Sequence, residues 1–145
     1  MDCPFCDVSV IERQKIWETE QEIVLYNIRP ANKGQCLVAP KRHVTSIHDL
    51  PDDEVKSLFQ TVKRVAGKLK QYLNPTGFNY GFNEGSYAGQ SVMHLHFHVL
   101  PRFEGDAVMR HHLFHRKKED KRNLTLEELT SRVNEFRDVF NSQFF

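Results

Sequence analysis

The chain has no surplus of either charge sign: 20 lysines and arginines face 19 aspartates and glutamates over 145 residues. A protein that grips a long polyanion carries a basic excess, so nucleic acid is not the expected partner, while a small anion held by a few local donors still fits. Long hydrophobic runs are missing as well. None approaches the roughly 20 apolar residues that a membrane-spanning helix needs. The first residues lack a basic-then-apolar leader pattern, so the expected setting is cytoplasmic and away from membranes. Cysteine is scarce, with three residues, which argues against a disulfide framework. Internal repeats and low-complexity linkers are absent too. One domain is expected, and eleven phenylalanines give its core bulk without covalent staples. No Asp/Glu motif for Mg²⁺ is apparent, and no glycine loop ends in Gly-Lys-Ser/Thr.

What the chain does have is a row of histidines. In Met93-His94-Leu95-His96-Phe97-His98-Val99-Leu100, imidazoles alternate with apolar side chains. Alternation is the period of a strand, so Met93, Leu95, Phe97 and Val99 are expected on a core face and the three histidines on the other. Neighbouring histidines on one strand face stand about 7 Å apart. Neutral imidazole is a nucleophile, proton carrier and metal ligand near neutral pH. Three together resist full protonation, because like charges oppose one another, so at least one is expected to be neutral at pH 7.

The stretch just before this row, Asn83-Glu84-Gly85-Ser86-Tyr87-Ala88-Gly89-Gln90-Ser91, has glycines that let backbone N–H groups approach an anion. It reads as a phosphate loop, with a plain hairpin connection as the alternative. Near the other end, Cys3-Pro4-Phe5-Cys6 is a C-x-x-C pair, which suits zinc if two further ligands exist. A redox role is the weaker reading, since no strand precedes the pair and no helix clearly follows it. Cys36 lies in an apolar run and reads as a small core residue.

The remaining pattern outlines an α+β fold. Extended segments are expected near Trp17–Thr19, over Ile23–Asn27 and over Gly34–Pro40, as an antiparallel meander, with a further strand at Gly77–Asn83. Pro51–Asn74 carries apolar residues from Val55 to Leu73 at steps of three and four. It opens on Asp52, Asp53 and Glu54 and stops at Asn74-Pro75-Thr76-Gly77, which predicts a long helix. Thr125-Leu126-Glu127-Glu128 is a capping box that starts a C-terminal helix. Between them, Phe103–Asn123 holds His111, His112 and His115 and a mixed charge run that reads as solvated surface. Adjacent histidines rarely converge on one ion, so His111 and His112 are not read as a metal site. Asn27, at the end of its strand, reads equally as a turn cap or as a contact for a ligand.

The histidine row with its flanks Asn83-Glu84-Gly85, Gly89-Gln90-Ser91, Pro101-Arg102 and Pro40-Lys41-Arg42-His43 resembles the histidine triad (HIT) family of nucleotide hydrolases and transferases. The resemblance covers about residues 3 to 102, leaving 103–145 as a C-terminal extension of a single domain. It lies between two branches. Leu100-Pro101-Arg102 is similar to the fragile-histidine-triad-like dinucleoside polyphosphate hydrolases, and Asn83-Glu84-Gly85 and Pro40–His43 are similar to the Hint-like phosphoramidate hydrolases. The resemblance implies a sheet of about five antiparallel strands with one long helix packed on it, and a two-fold homodimer. It implies cleavage at the α-phosphate of adenosine 5′-phosphate derivatives, with His96 as nucleophile forming a nucleotidyl-histidine intermediate and His98 and Ser91 assisting. Asn27, Asn83, Gly89, Gln90, Ser91, Val92 and His98 would hold the nucleotide substrate. Cys3, Cys6, His43 and His94 would hold a structural zinc; His94 otherwise orients His96. No nucleotide cofactor is expected. A nucleotide-binding signalling module with negligible turnover, and a nucleotidyltransferase or phosphorylase, are the alternatives.

Overall fold

The two most apolar runs, 23–26 and 36–39, lie in the middle of the sheet, where both faces need covering. The structure, a computed structural model, describes residues 2–106 and 123–142. Its strands are β1 (Lys15–Glu18), β2 (Glu22–Tyr26), β3 (Cys36–Pro40), β4 (Gly77–Gly81) and β5 (Phe97–Arg102). Each is antiparallel to its neighbours, in the order β1-β2-β3-β5-β4. Every residue of β2 and β3 is buried. On one face Val24, Tyr26, Cys36, Val38, Phe97 and Val99 pack into the main core. That core is closed by the helices α2 (Asp52–Leu73) and α3 (Leu126–Asn141), through residues such as Leu58, Val65, Leu69, Val133 and Phe136. On the opposite face Ile23, Leu25, Leu37 and Ala39 form a smaller cluster with Cys3 and Phe5. The segment that carries the C-x-x-C pair is therefore pinned to the back of the sheet. Glu22 is a charged exception within β2. Hydroxyl donors from Thr19, Ser57 and Thr61, at 2.8, 2.7 and 2.6 Å, satisfy its carboxylate.

The long helix ends where its stop signal stands. Asn74 takes the left-handed conformation (φ 49°), and its N–H donates to the Lys70 carbonyl. Two members of the expected stripe are less covered: Phe59 is 45% exposed and Tyr72 40%. Phe59 still meets the Phe97 ring edge-on, and Tyr72 meets Phe136. Both halves of the Thr125/Glu128 capping box are formed at the start of α3.

Two expectations need correction. A helix does follow the cysteine pair: α1 (Val8–Gln14), started by the Asp7 carboxylate, which accepts from the Ser9 N–H at 2.9 Å. Its β-branched Val8, Val10 and Ile11 hide it from periodicity over only seven residues. The histidine strand is also shorter than the alternation suggests. It begins at Phe97, and Met93 is 46% exposed instead of facing the core. The last partner pair with β3 is Val38 with Phe97. Extending that register would set Leu95 against Pro40, which has no N–H to offer. Leu95 instead donates to the Val44 carbonyl at 2.7 Å. His94 and His96 thus sit ahead of β5, and only His98 lies within it. The histidines His111, His112 and His115 and the charge run that follows them, 116–122, fall outside the described residues.

Candidate active site

The start of β5, the loop before it and the turn after β2 enclose a cleft of about 310 Å³. His96, His98, Asn27, Asn83, Gly89, Gln90, Ser91 and Val92 line it, joined by Ile28 and Leu37 as apolar walls. The size suits a small organic ligand, with a few polar groups among apolar ones. Asn27 and His98, 71 positions apart, are brought together by the β3–β5 pairing, which sets Leu37 opposite His98. Pro4, Phe5, Gln14 and Arg29 also line the cleft and were not expected there. Phe5 lies inside the C-x-x-C spacing, where attention falls on the sulfurs. Its ring stands edge-on to His96 at 5.2 Å and to His94 at 5.9 Å between centroids.

Backbone carbonyls set the state of two histidines. A carbonyl can only accept, so the nitrogen facing it must carry hydrogen. His96 Nδ1 donates to the His94 carbonyl at 2.8 Å, which leaves the Nε2 lone pair for chemistry. His94 Nε2 donates to the Pro40 carbonyl at 2.7 Å, which leaves its Nδ1 lone pair facing the sulfurs. Burial lowers the pKa of both rings below the usual histidine value, more than these hydrogen bonds raise it, and His43 and His96 lower that of His94 further. Both rings are therefore neutral at pH 7. The His96 and His98 rings meet edge to face at 5.2 Å, closer than the strand spacing suggests.

In the loop, Gly85 (φ 84°) and Gly89 (φ 95°) flank a 3₁₀ turn over Ser86–Ala88. A Cβ at Gly89 would come within 3.3 Å of the Asn83 amide, so glycine keeps both residues at the cleft wall. Gln90 shapes this loop with its side-chain amide and its backbone N–H. Its Oε1 accepts from the Gly85 N–H at 2.8 Å, its Nε2 donates to the Thr45 and Val92 carbonyls, and its own N–H donates to the Gly85 carbonyl. The expected donation by Gln90 to a ligand is thus redirected into holding the loop. Asn27 acts as the turn cap, its Oδ1 accepting from the Arg29 N–H at 2.9 Å, and the residue also lines the cleft.

Behind the cleft, Cys3, Cys6, His43 and His94 bring one donor atom each within 4.8 Å of one another. His94 Nδ1 lies 3.4 Å from Cys3 Sγ and 3.5 Å from Cys6 Sγ, and His43 Nδ1 lies 3.4 Å from Cys6 Sγ. A tetrahedral zinc with ordinary bond lengths would set sulfur and nitrogen about 3.6 Å apart. The spacing fits such an ion, and the Pro40 carbonyl supplies the outer hydrogen bond that orients a ligating imidazole. Partial burial, and after it the Cys3 side chain, push the Cys6 thiol up, a state that a bound cation reverses. Cys36 is fully buried in the core, as expected, and burial raises its pKa well out of the reactive range.

An antiparallel sheet that delivers His96 and His98 to one cleft, with His94 directly behind, defines a histidine triad protein. The HIT domain family model matches residues 8–105, and the chain belongs to that family. The bis(5′-adenosyl)-triphosphatase of Dictyostelium discoideum is 29% identical over 122 residues, covering 84% of this chain and 82% of the relative. The adenosine 5′-monophosphoramidase of Schizosaccharomyces pombe is 34% identical over 104 residues, covering 70% and 75%. Among solved structures, a Zn-bound histidine triad family protein from Mycobacterium smegmatis superposes with a TM-score of 0.68 at 29% identity, covering 93% of this chain and 95% of its own.

Proposed function

We propose that the protein is a nucleotide hydrolase that cleaves adenosine 5′-phosphate derivatives at the α-phosphate, with His96 as nucleophile. The observation that carries this reading is the single cleft lined by His96, His98, Ser91, Asn27 and Asn83 together. The His96 Nε2 lone pair attacks the α-phosphorus, an N–P bond forms, and the bond to the leaving oxygen breaks. Ser91 or His98 protonates or hydrogen-bonds that oxygen. Water then attacks the phosphorus and returns a proton to the group that gave one up to the leaving oxygen, the N–P bond breaks, and a nucleoside monophosphate leaves. Ser91, His98 and loop N–H groups face the phosphate oxygens. Asn27 takes the ribose, and Ile28, Leu37 and Phe5 flank the base. The relatives named for diadenosine triphosphate and for adenosine phosphoramidate support both substrate types. The site's own chemistry stops at the leaving group, since any group on that oxygen or nitrogen satisfies it.

Cys3, Cys6, His43 and His94 are assigned as a structural zinc site. Four protein ligands leave no open position, so the ion's chemistry is to tie the N-terminal segment, and Phe5 with it, against the histidines. A homodimer is also part of this reading. β4 is an edge strand, and an apolar groove of about 810 Å³ runs beside it along α2, between Phe59, Ala66, Phe78 and Tyr80. A second copy would cover both the edge and the groove. Sedimentation at micromolar concentration tests this, and a monomer there ends it.

The test of the reaction is rapid mixing with diadenosine triphosphate and with adenosine phosphoramidate, followed by acid quench and intact mass analysis. An adenylylated protein that forms and decays at the turnover rate is expected. It disappears in His96→Asn and His96→Ala. Turnover that survives both substitutions rejects the covalent route.

A further inference from the structure

We propose that Gln35 is a positioning residue that fixes which nitrogen of His98 carries hydrogen, so that His98 and His96 are held as opposite tautomers. The catalytic half of this assignment rests on the hydrolase reading above; the tautomer half does not. Gln35 immediately precedes β3 and is fully buried. Its backbone is held on both sides, with its N–H donating to the Asn32 carbonyl and its carbonyl accepting from the Asn27 N–H. Its side-chain oxygen accepts from the Ala31 N–H at 2.8 Å. A backbone N–H can only donate, so the amide has one allowed orientation. The amide nitrogen therefore faces His98 Nδ1, at 3.2 Å. An amide NH₂ can only donate, so Nδ1 must accept and carries no hydrogen. The neutral ring then has its hydrogen on Nε2.

The neighbouring His96 is set the other way by its bond to the His94 carbonyl: hydrogen on Nδ1, lone pair on Nε2. Two rings 5.2 Å apart in one cleft are thus fixed by neutral partners as one lone-pair ring and one N–H ring. Displacement at phosphorus needs both kinds, an attacking lone pair and a donor for the departing oxygen. Two rings in the same state would duplicate one function and lack the other. A glutamine does this where a carboxylate could not, because a carboxylate at position 35 would accept from Nδ1 and invert the ring.

The test is ¹⁵N–¹H correlation of the His98 ring in the full-length, metal-loaded protein, without substrate, in wild type, Gln35→Glu and Gln35→Met. Wild type is expected to show the Nε2–H pattern. Gln35→Glu should show Nδ1–H or a doubly protonated ring. Gln35→Met keeps the volume without a donor and should show a mixture. In turnover, Gln35→Glu should lose about 10²-fold in kcat. Its KM should change by less than about threefold, the split expected when a transition-state interaction is lost. Should the buried carboxylate in Gln35→Glu prevent folding, wild type and Gln35→Met carry the comparison. An Nδ1–H pattern in wild type, or an unchanged Nε2–H pattern in Gln35→Met, overturns the assignment. A wild-type protein that shows the Nε2–H pattern but no hydrolysis refutes the hydrolase reading and leaves the role of Gln35 in the tautomer standing.

Discussion

Gly34→Ala is the substitution whose cost can be worked most directly from the structure. Gly34 has φ 98°, and its N–H donates to the Tyr26 hydroxyl at 3.0 Å. Left-handed backbone costs an L residue roughly 1–2 kcal/mol. A Cβ there would stand 2.6 Å from Leu73 Cδ1 and 3.3 Å from Pro101 Cγ. Leu73 ends α2 and is half-buried, so its methyl can swing aside, but the proline ring cannot. Overpacking of this kind adds about 1–3 kcal/mol. The sum is about 2–5 kcal/mol against a typical total of about 5–15. For a chain of this length that lowers Tm by roughly 10 °C. Urea unfolding of Gly34→Ala, Leu73→Ala and the double variant separates the two parts. The Leu73 share of the clash should vanish in the double variant, giving a favourable coupling, while the Pro101 contact and the backbone strain remain. A loss below about 1 kcal/mol in Gly34→Ala, or strict additivity in the cycle, would show that this turn is not wedged between α2 and β5 as described.

Three further outcomes follow from the same coordinates. Protein purified without chelator should hold about one zinc per chain, and removing it should lower Tm by roughly 10 °C if free zinc exceeded Kd about 1,000-fold, a linkage of about 4 kcal/mol; under half an equivalent by metal assay counts against the four-ligand site. Tyr26, whose pKa burial pushes up to about 12, should be the last phenol to ionise in an absorbance titration. The folded state keeps its proton while an unfolded tyrosine loses it near 10, so stability should fall between pH 10 and about 12, by at most about 3 kcal/mol from this group; ionisation of all four tyrosines together near pH 10, with the fold intact, would contradict the burial. Thr125→Ala removes one half of the α3 capping box and should lower stability by about 1 kcal/mol with an unchanged urea m-value.

The histidine row and its flanks were legible because the chemistry and the strand period coincide in eight residues. The central strands were legible because β2 and β3 are apolar on both faces, and α2 and α3 because each carries a long stripe with its own start or stop signal. The sequence reading went astray where one residue's missing N–H decides a boundary. Pro40 ends the β3–β5 ladder, but alternation continues through Met93 as if the strand did too. α1 was hidden because a seven-residue helix gives periodicity too little length to register. At the site, the residues named from the histidine pattern meet in the cleft, and the four candidate ligands meet behind it. Gln90, Phe5 and Gln35 needed coordinates. Their parts depend on which of several possible hydrogen bonds or ring contacts a side chain makes, and spacing carries no information on that.

The thiols of Cys3 and Cys6 meet an imidazole 91 and 88 positions further along. A ribosome delivers residues in order, so Cys3 can reach the sheet residues Ile23, Leu25, Leu37 and Ala39 early, but both sulfurs lack this imidazole partner until His94 has emerged. Such distant pairings are slow to close, because loop entropy is spent before any contact repays it. During synthesis the two sulfurs therefore wait longest for the imidazole that completes their set, and a half-made chain has no seat for a nucleotide.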